Sequence, residues 1–268
     1  MEIYLRRKNH GKFRRFFYSF IILFIILTSG WYFLIIGRAA DYKSDVKIQE
    51  KIFGYSEKGR PVSGYEIGKG SDVVLLFAAI HGDEIGTADL LKKLAEKIKI
   101  FPGLAAKTKK IIIIPILNPD GYYDRTDKLN ANEVNLNINF STAGWREYGL
   151  EGTFAGQEPF SEKESQIIRQ IVLEYKPMAM ISYHSRGAAV SPEAGEASAA
   201  LAGWYGKETG YGYYSDENWD YPGTATKWFV ETTGKPALTV EISKQLQDDW
   251  EVNRGALIKI ISSDGVWY

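Results

Sequence analysis

Residues 72–84 read DVVLLFAAIHGDE, an unbroken apolar run that leads into a histidine, a glycine and two acidic residues. A continuous apolar run of this length is typical of a strand that is buried on both faces of a sheet. Beyond it, apolar residues recur at helical spacing from Leu90 to Ile98, which predicts an amphipathic helix. The stretch therefore predicts a buried strand, a turn that carries His81 and Glu84, and a helix.

The same alternation of strands and helices continues along the chain. Apolar runs typical of buried strands lie at 110–118, 178–184 and 237–243, and helical patterns lie at 161–175 and 251–262. Ser161 and Glu164 have the spacing of a capping box, which predicts that a helix opens there. Strands that alternate with helices predict an α/β domain in which helices flank a central sheet. No linker rich in Pro, Gly or Ser divides residues 48–268, so one domain is expected.

Each of the four apolar runs ends at or near a polar residue. In chain order these residues are His81, Asn118, His184 and Glu241. In open α/β sheets, ligands bind at the carboxyl ends of the strands. The sequence therefore predicts that both histidines and the nearby carboxylates converge on one cleft.

His81 and Glu84 have a spacing that lets both side chains reach one metal ion. A distant His184 would complete a set of two histidines and one glutamate, which leaves a fourth position open for water and is a known ligand set of catalytic zinc. A histidine followed by an acidic residue is a weak signal alone. Acidic residues at the start of a helix also interact favourably with the helix dipole, which is the competing explanation.

Glu241 lies in the apolar context LTVEIS, where an unpaired carboxylate is energetically unfavourable. Next to a metal-activated water, such a carboxylate is a natural general base, which takes a proton from the water and returns it to the leaving amine. The alternative is a structural ion pair with Lys227 or Arg254. The residues alone leave both open.

The 268-residue chain contains no cysteine and only three histidines, His10, His81 and His184. Without cysteine, disulfides, thiolate metal sites and cysteine nucleophiles are excluded, so nitrogen and oxygen must hold any transition metal. The 33 basic and 33 acidic side chains balance, but residues 1–40 hold seven basic groups and one acidic group. The remaining chain is therefore acidic, and nucleic acid is not an expected partner.

Residues 1–15 form a basic leader, and residues 16–37 carry an uncharged apolar stretch that is long enough to span a lipid bilayer. This pattern predicts a transmembrane signal anchor, a linker at 38–47 and a domain at 48–268. The positive-inside rule then leaves the N-terminus in the cytoplasm and makes the chain a single-pass membrane protein with a periplasmic or extracellular domain. A cleaved signal peptide, with Gly37 and Ala39 at the cleavage site, is the alternative.

Taken in order, several segments resemble the M14 zinc carboxypeptidase family. Within that family they are most similar to the compact bacterial branch, the murein peptide amidases. The matching stretches are GYSEKGRPV, HGDE, NPDG, NANEVNLNINF, EPFSEKE, ISYHS, PGTATKW and ALTVEIS, and the resemblance extends over essentially the whole of residues 48–268. The resemblance implies a mixed sheet of about eight strands in a single three-layer domain. It also implies one zinc ion on His81, Glu84 and His184, with Glu241 as general acid and base.

Two positions depart from the family pattern. Ile138 stands where an arginine usually grips the terminal carboxylate of the substrate together with Asn137, and an isoleucine offers no donor. Arg186 or Arg146 could compensate. Asn135 replaces the aspartate that usually orients the first zinc histidine, and its amide oxygen can accept the same hydrogen bond without the charge.

The resemblance leaves the cation that stabilises the oxyanion open. Alignment favours Lys128, whereas the chemistry of a planar, multidentate donor favours Arg125. Tyr221, on the loop that in this family usually supplies a tyrosine over the substrate, and Thr226 are further candidates for substrate binding.

The leading hypothesis is a membrane-anchored zinc metallopeptidase with a monomeric catalytic domain that cuts amide bonds in peptidoglycan stem peptides or similar small peptides. A related zinc-dependent deacylase of N-acyl amino acids is a second possibility. A binding module that retains the fold without catalysis is the third.

Overall fold

The computed structural model describes residues 46–149, 152–214, 221–265 and 268. The predicted basic leader, the transmembrane segment at 16–37 and most of the linker at 38–47 lie outside these ranges. Among the residues that are described, no helix combines the length and the apolarity needed to cross a bilayer.

Eight strands and six helices alternate through the described residues. The strands are β1 (Ile48–Tyr55), β2 (Pro61–Ile67), β3 (Asp72–Ala78), β4 (Lys109–Ile114), β5 (Ala179–Ser185), β6 (Ala189–Pro192), β7 (Gly212–Tyr213) and β8 (Ala237–Ile242). The helices are α1 (Ile85–Ile100), α2 (Pro119–Asp124), α3 (Lys163–Tyr175), α4 (Glu196–Thr209), α5 (Ala225–Thr233) and α6 (Trp250–Ser262). Short 3-10 turns lie at Pro102–Leu104 and Leu136–Ile138.

All eight strands join one mixed sheet in the order β1-β2-β4-β3-β5-β8-β6-β7. The four central strands β4, β3, β5 and β8 run parallel, whereas β2 pairs antiparallel with β4 and β6 pairs antiparallel with β8. The expected α/β domain with a mixed sheet of about eight strands is therefore confirmed. The parallel centre directs the carboxyl ends of β3, β5 and β8 to the same edge.

The apolar run at 72–80 is buried on both faces of the sheet, as its composition predicts. Val74 and Leu76 of β3 face a core formed with α1, α4 and α6, whereas Leu75 and Phe77 face a core formed with α3 and α5. Each such side chain contributes about 1.5–3 kcal/mol when it is fully buried. These two cores make the three layers of the domain.

The predicted capping box at Ser161 is wrong. Helix α3 begins at Lys163, its N-cap is Glu162, and no side chain caps it. The hydroxyl of Ser161 instead donates to the carboxylate of Glu162 and accepts a hydrogen bond from Asn139. Because the hydroxyl of Ser161 bonds to Asn139 and Glu162, it does not cap helix α3.

Glu164, in the first turn of α3, is fully buried. Neither of its carboxylate oxygens accepts a hydrogen bond from the described residues. Burial raises the pKa of Glu164 to about 7, and the nearby carboxylates of Asp120 and Glu162 act in the same direction. A neutral carboxylic acid is thus the stable form of this side chain in the folded domain below that pH.

We predict that Glu164 makes the folded domain less stable as the pH rises. The unfolded chain ionises this group near pH 4.5, whereas the folded chain ionises it near pH 7, so stability is lost across that interval and stays low above it. The free energy of unfolding of Glu164→Gln should exceed that of the wild type by about 2–3 kcal/mol at pH 8, and the difference should shrink towards pH 5. Urea denaturation at both pH values measures this difference.

Glu174→Gln is the matched control because Glu174 lies on the same helix and is exposed. Its stability difference from the wild type should not change with pH in this way. A Glu164→Gln variant that is equally or less stable than the wild type at pH 8 contradicts the prediction.

Candidate metal centre

The turn between β3 and α1 carries the first two candidate ligands. His81 lies three residues beyond the end of β3, and Glu84 immediately precedes α1. The turn packs directly on the backbone of α2, since a Cβ added to Gly82 would lie 2.5 Å from the carbonyl carbon of Gly121. The glycine in His-Gly-Asp-Glu therefore permits the close approach that fixes the direction of both side chains.

His184 and Glu241 enter the site from the neighbouring central strands. The two residues are direct partners in the parallel pairing of β5 with β8. Strand β3 pairs with β5 on its other side. The predicted convergence of the two histidines and the carboxylates on one edge of the sheet is therefore present.

His81, Glu84 and His184 form a buried cluster that could hold one metal ion, with one ligand atom from each residue and all such atoms within 4.8 Å of one another. The Nδ1 atoms of His81 and His184 each lie 3.2 Å from a carboxylate oxygen of Glu84. The relative exposure of the three residues is 8%, 3% and 3%. Among the described residues, this is the only such group of three.

Outer contacts hold each imidazole by its other nitrogen. The Nε2 atom of His81 lies 3.3 Å from Oδ1 of Asn135, and that of His184 lies 3.0 Å from the hydroxyl of Ser182. These contacts leave both Nδ1 atoms directed at Glu84. The backbone N–H of Ser185 also donates to Oε1 of Glu84.

The donor set fits a zinc ion. Oε2 of Glu84 is buried and accepts no hydrogen bond from any described residue, although it faces His184. Two imidazole nitrogens and a carboxylate oxygen are ligands that zinc accepts, and the chain has no thiolate to compete with them.

The three side chains also shift one another's ionisation. Burial alone raises the pKa of Glu84, but the adjacent His184 and His81 outweigh burial and hold the pKa well below its usual range. Burial alone lowers the pKa of His184, but the charge of Glu84 raises it to about 8. Glu84 is therefore a carboxylate at every pH at which the domain would work.

Glu241 lies beside the cluster as a largely buried carboxylate. Burial and the nearby charge of Glu84 raise the pKa of Glu241, whereas His184 partly opposes the shift. No described cation makes an ion pair with Glu241, and Arg254 pairs with Glu251 on α6 instead. The alternative of a structural ion pair with Lys227 or Arg254 is therefore wrong for the described residues.

A strained turn makes room for Glu241. Arg186 and Ala188 both have positive φ angles, 85° and 47°, which is unfavourable for residues other than glycine. Between them, a Cβ added to Gly187 would lie 2.6 Å from Cβ of Glu241. The glycine is thus required where the β5–β6 connection passes over the carboxylate.

Lys128 and Arg125, the two candidates for the oxyanion cation, have different surroundings. Lys128 lies near enough to His184 for its positive charge to lower the pKa of that imidazole. Arg125 ends α2 in a left-handed conformation, and its guanidinium lies 5.5 Å from the ring centre of Tyr122. The helix end therefore holds Arg125 on an aromatic surface.

The residues predicted to bind substrate lie at different depths. Arg186 is half-exposed at the mouth of the site, where it donates to Asp83 at 2.7 Å, and Asn137 is half-buried in the 136–138 turn. Tyr221 is partly buried, and Trp219 of the same loop lies outside the described residues. Thr226 is buried, with 2% relative exposure, and donates to Glu193.

Ile138 is a packing residue in this fold. It is buried, and its Cδ1 atom lies 2.7 Å from the position that a Cβ on Gly149 would occupy. An isoleucine at this position therefore adds to the core and gives the cleft no cation.

Sequence reasoning did not identify Ser182, which contacts His184, or Glu193, which contacts Thr226. The position of Ser182 could have signalled its role, because a residue two before His184 on the same strand shares its face of the sheet. Glu193 has no comparable local signal, since its hydrogen-bond partner Thr226 comes from a distant helix.

A statistical model of a protein family, described as zinc carboxypeptidase (Peptidase_M14), matches residues 35–200. The match includes all three candidate ligands and ends before Glu241. The chain is 27% identical over 180 residues to murein peptide amidase A of Vibrio campbellii, which covers 63% of this chain and 68% of that protein. It is also 28% identical over 244 residues to bacteriocin BCN5 of Clostridium perfringens, which covers 83% of this chain but only 26% of the bacteriocin.

Solved structures show the same fold. The murein-tripeptide amidase of Escherichia coli O157 superposes with a TM-score of 0.63 and 21% identity, over 81% of this chain and 92% of that one. Carboxypeptidase A from Helicoverpa armigera superposes with a TM-score of 0.65 and 19% identity, over 80% of this chain and 66% of that one. The eight-stranded architecture described above is thus that of a carboxypeptidase-like domain.

We predict that the residue at position 135 sets zinc affinity through His81. Asn135→Asp should tighten zinc binding about tenfold, because a charged acceptor makes the imidazole a stronger ligand, and Asn135→Ala should weaken it about 10- to 100-fold. Competition with a chelator measures both changes. Gln170→Glu, which adds a charge at an exposed position on α3, should leave the affinity unchanged. Equal affinities for Asn135→Asp, Asn135→Ala and the wild type contradict the prediction.

Proposed function

Because the chain belongs to the zinc carboxypeptidase family, we propose that it hydrolyses an amide bond in peptides, with peptidoglycan stem peptides as its substrates. The observation that carries the proposal is the buried set of His81, Glu84 and His184 with Glu241 on the adjacent strand. The identity with a murein peptide amidase over 63% of this chain supports the choice of substrate.

Bound to this set, zinc supplies Lewis-acid chemistry and lowers the pKa of water. Glu241 accepts the proton of the attacking water and passes it to the leaving amine. Burial raises the pKa of Glu241, which suits a group that must first accept a proton and then release it. The absence of an ion pair on Glu241 among the described residues leaves its carboxylate available for both steps.

Lys128 stabilises the negative charge that develops on the carbonyl oxygen. Its proximity to His184 supports this role, and an ammonium group provides a point charge of the required sign. Arg186, which donates to Asp83 at the mouth of the site, adds a positive charge that acts on Glu241. Asn137 and Tyr221 complete the substrate contacts in this proposal.

The N-terminal sequence supports a membrane-anchored location for this activity. Six basic residues precede an uncharged stretch at 16–36, which favours an uncleaved anchor with the N-terminus in the cytoplasm. The catalytic domain would then act on the cell wall from outside the membrane.

We predict that Glu241→Gln abolishes hydrolysis while zinc remains bound. The amide keeps the size of the side chain but cannot accept the proton, so kcat should fall by at least about 10³-fold, at the upper part of the range expected for general acid–base catalysis. Hydrolysis of muropeptides and zinc content are measured on the same preparation. A variant that retains wild-type turnover rules out the mechanism.

The substrate class is tested by offering the wild-type protein muropeptides beside N-acyl amino acids. Hydrolysis of muropeptides supports the proposal, whereas hydrolysis confined to N-acyl amino acids identifies a deacylase. Zinc-loaded wild-type protein that binds muropeptides without cleaving them would identify a binding module.

We predict that Lys128→Met lowers kcat by about 10²-fold, since it removes one charge that stabilises the transition state. Arg125→Met is the matched control, because Arg125 lies on the ring of Tyr122 and should affect kcat by less than about twofold. The reverse order of effects would assign the role to Arg125.

A further inference from the structure

The edge of the sheet opposite the metal centre carries a row of lysines. The parallel strands β3, β4, β5 and β8 all begin at this edge. Strand β2 ends there and β1 begins there, because β2 is antiparallel to both β4 and β1. We call this side of the domain the amino edge. The exposed lysines next to strand ends on the amino edge are Lys47, Lys69, Lys107, Lys176 and Lys235.

These five lysines are not used inside the domain. None of their ammonium groups makes an ion pair with a described residue. Other exposed lysines do, as Lys58 pairs with Asp124 and Lys259 pairs with Glu208. The five positive charges are therefore not neutralised within the described residues, although the chain beyond residue 40 is acidic overall.

Several carboxylates near the amino edge are bonded within the domain. Asp72 accepts a hydrogen bond from the backbone of the C-terminal segment, and Asp264 accepts one from a hydroxyl group just before β4. Glu50 of β1 pairs with Lys99 of α1. Exposed carboxylates that remain near this edge are Glu96, Glu174 and Glu196, and the last of these opens α4 beside β6. Positive charge therefore exceeds negative charge along the amino edge.

The end of α1 adds an apolar tip to this basic surface. Helix α1 follows β3 and runs back to the amino edge, where the ion pair of Lys99 with Glu50 holds its last turn against β1. Ile100 and Phe101 are 64% and 57% exposed there. Adjacent exposed apolar side chains beside lysines are typical of protein surfaces that lie in the headgroup region of a membrane.

The polypeptide enters the domain at the same edge. The described residues begin at Val46, and the carbonyl of Lys47 accepts a hydrogen bond from the N–H of Gly68. Val46 packs against the core that α1 also contacts. The uncharged stretch at 16–36 ends ten residues before Val46, so a fully extended connection reaches at most about 35 Å. A membrane anchor in that stretch keeps the amino edge within this distance of the bilayer.

We propose that the amino edge docks on the surface of an anionic lipid bilayer. Ile100 and Phe101 lie in the headgroup region, and the lysines of the edge contact lipid phosphates. This inference rests on the membrane-anchored location proposed above and not on the peptidase activity. Docking in this way directs the metal centre, at the opposite edge of the sheet, away from the membrane.

The test uses the full chain in lipid nanodiscs and exploits its lack of cysteine. Ile100→Cys provides one attachment site for an environment-sensitive fluorophore at the amino edge. Leu246→Cys is the matched control, because Leu246 is 66% exposed and lies in the loop that follows β8 at the opposite edge. In nanodiscs of phosphatidylcholine and phosphatidylglycerol in equal parts, emission from position 100 should shift to shorter wavelength, and nitroxide-labelled lipid should quench it. Emission from position 246 should show neither effect.

A second set of variants, labelled at position 100, measures the contribution of the lysines. Lys69→Gln combined with Lys107→Gln should lower the ratio of docked to undocked domain about 25-fold, since each lysine near an anionic lipid surface contributes about fivefold. Lys58→Gln combined with Lys244→Gln removes the same charge from the opposite edge and should leave the ratio unchanged. Equal effects of the two pairs, or equal emission in nanodiscs of phosphatidylcholine alone, overturn the proposal.

The outcomes also separate docking from the proposed location. If the chain does not remain in the nanodiscs during chromatography, the anchor is wrong, and the label at position 100 still tests docking when the chain is mixed with the same nanodiscs. A shift to shorter wavelength that depends on protein concentration, without quenching by nitroxide-labelled lipid, identifies contact with another protein molecule and rejects the bilayer. Emission from position 100 that matches that of position 246 in every nanodisc rejects docking altogether. None of these measurements requires hydrolysis, so an inactive peptidase does not affect them.

Discussion

The site depends on one buried charge, the carboxylate of Glu84. A carboxylate with 3% exposure is unfavourable in a protein interior unless positive or hydrogen-bonding groups surround it. Here His81 and His184 lie 3.2 Å from its two oxygens, and a backbone N–H donates to one of them. These partners come from the β3–α1 turn and from β5, so the charge is tolerated only when the central strands pair in their observed order.

The contacts behind the ligands extend this constraint to the surrounding chain. Asn135 and Ser182 hold the two imidazoles by Nε2, and Asn135 also accepts from the backbone N–H of Asn137. The segment before Ile138 is therefore positioned by the same asparagine side chain that orients the candidate ligand His81. Two glycines constrain the same region, because neither position has space for a side chain. Gly82 lies against the backbone of Gly121, and Gly187 lies against Cβ of Glu241.

Much of the fold and the centre of the site could be predicted from local patterns. The run at 72–84 specifies its own strand and turn, and His184 and Glu241 each end a recognisable buried strand. The surroundings of Lys128 and Arg125 could not be predicted, because they depend on tertiary contacts such as the left-handed helix end that places Arg125 on Tyr122. Asn139 likewise bonds to Ser161, which does not form the predicted cap. No local sequence pattern around Arg125 or Ser161 indicates these contacts.

The 136–138 turn provides no cation at the position where the family usually has an arginine for a terminal carboxylate. Ile138 stands there and packs in the core, where its Cδ1 atom lies 2.7 Å from the place that a Cβ on Gly149 would occupy. Positive charge near the cluster comes instead from Lys128, which acts on His184, and from Arg186, which acts on Glu241. The charge that surrounds the candidate metal centre is therefore supplied by the loop that follows α2 and by the β5–β6 connection, because the 136–138 turn is committed to packing.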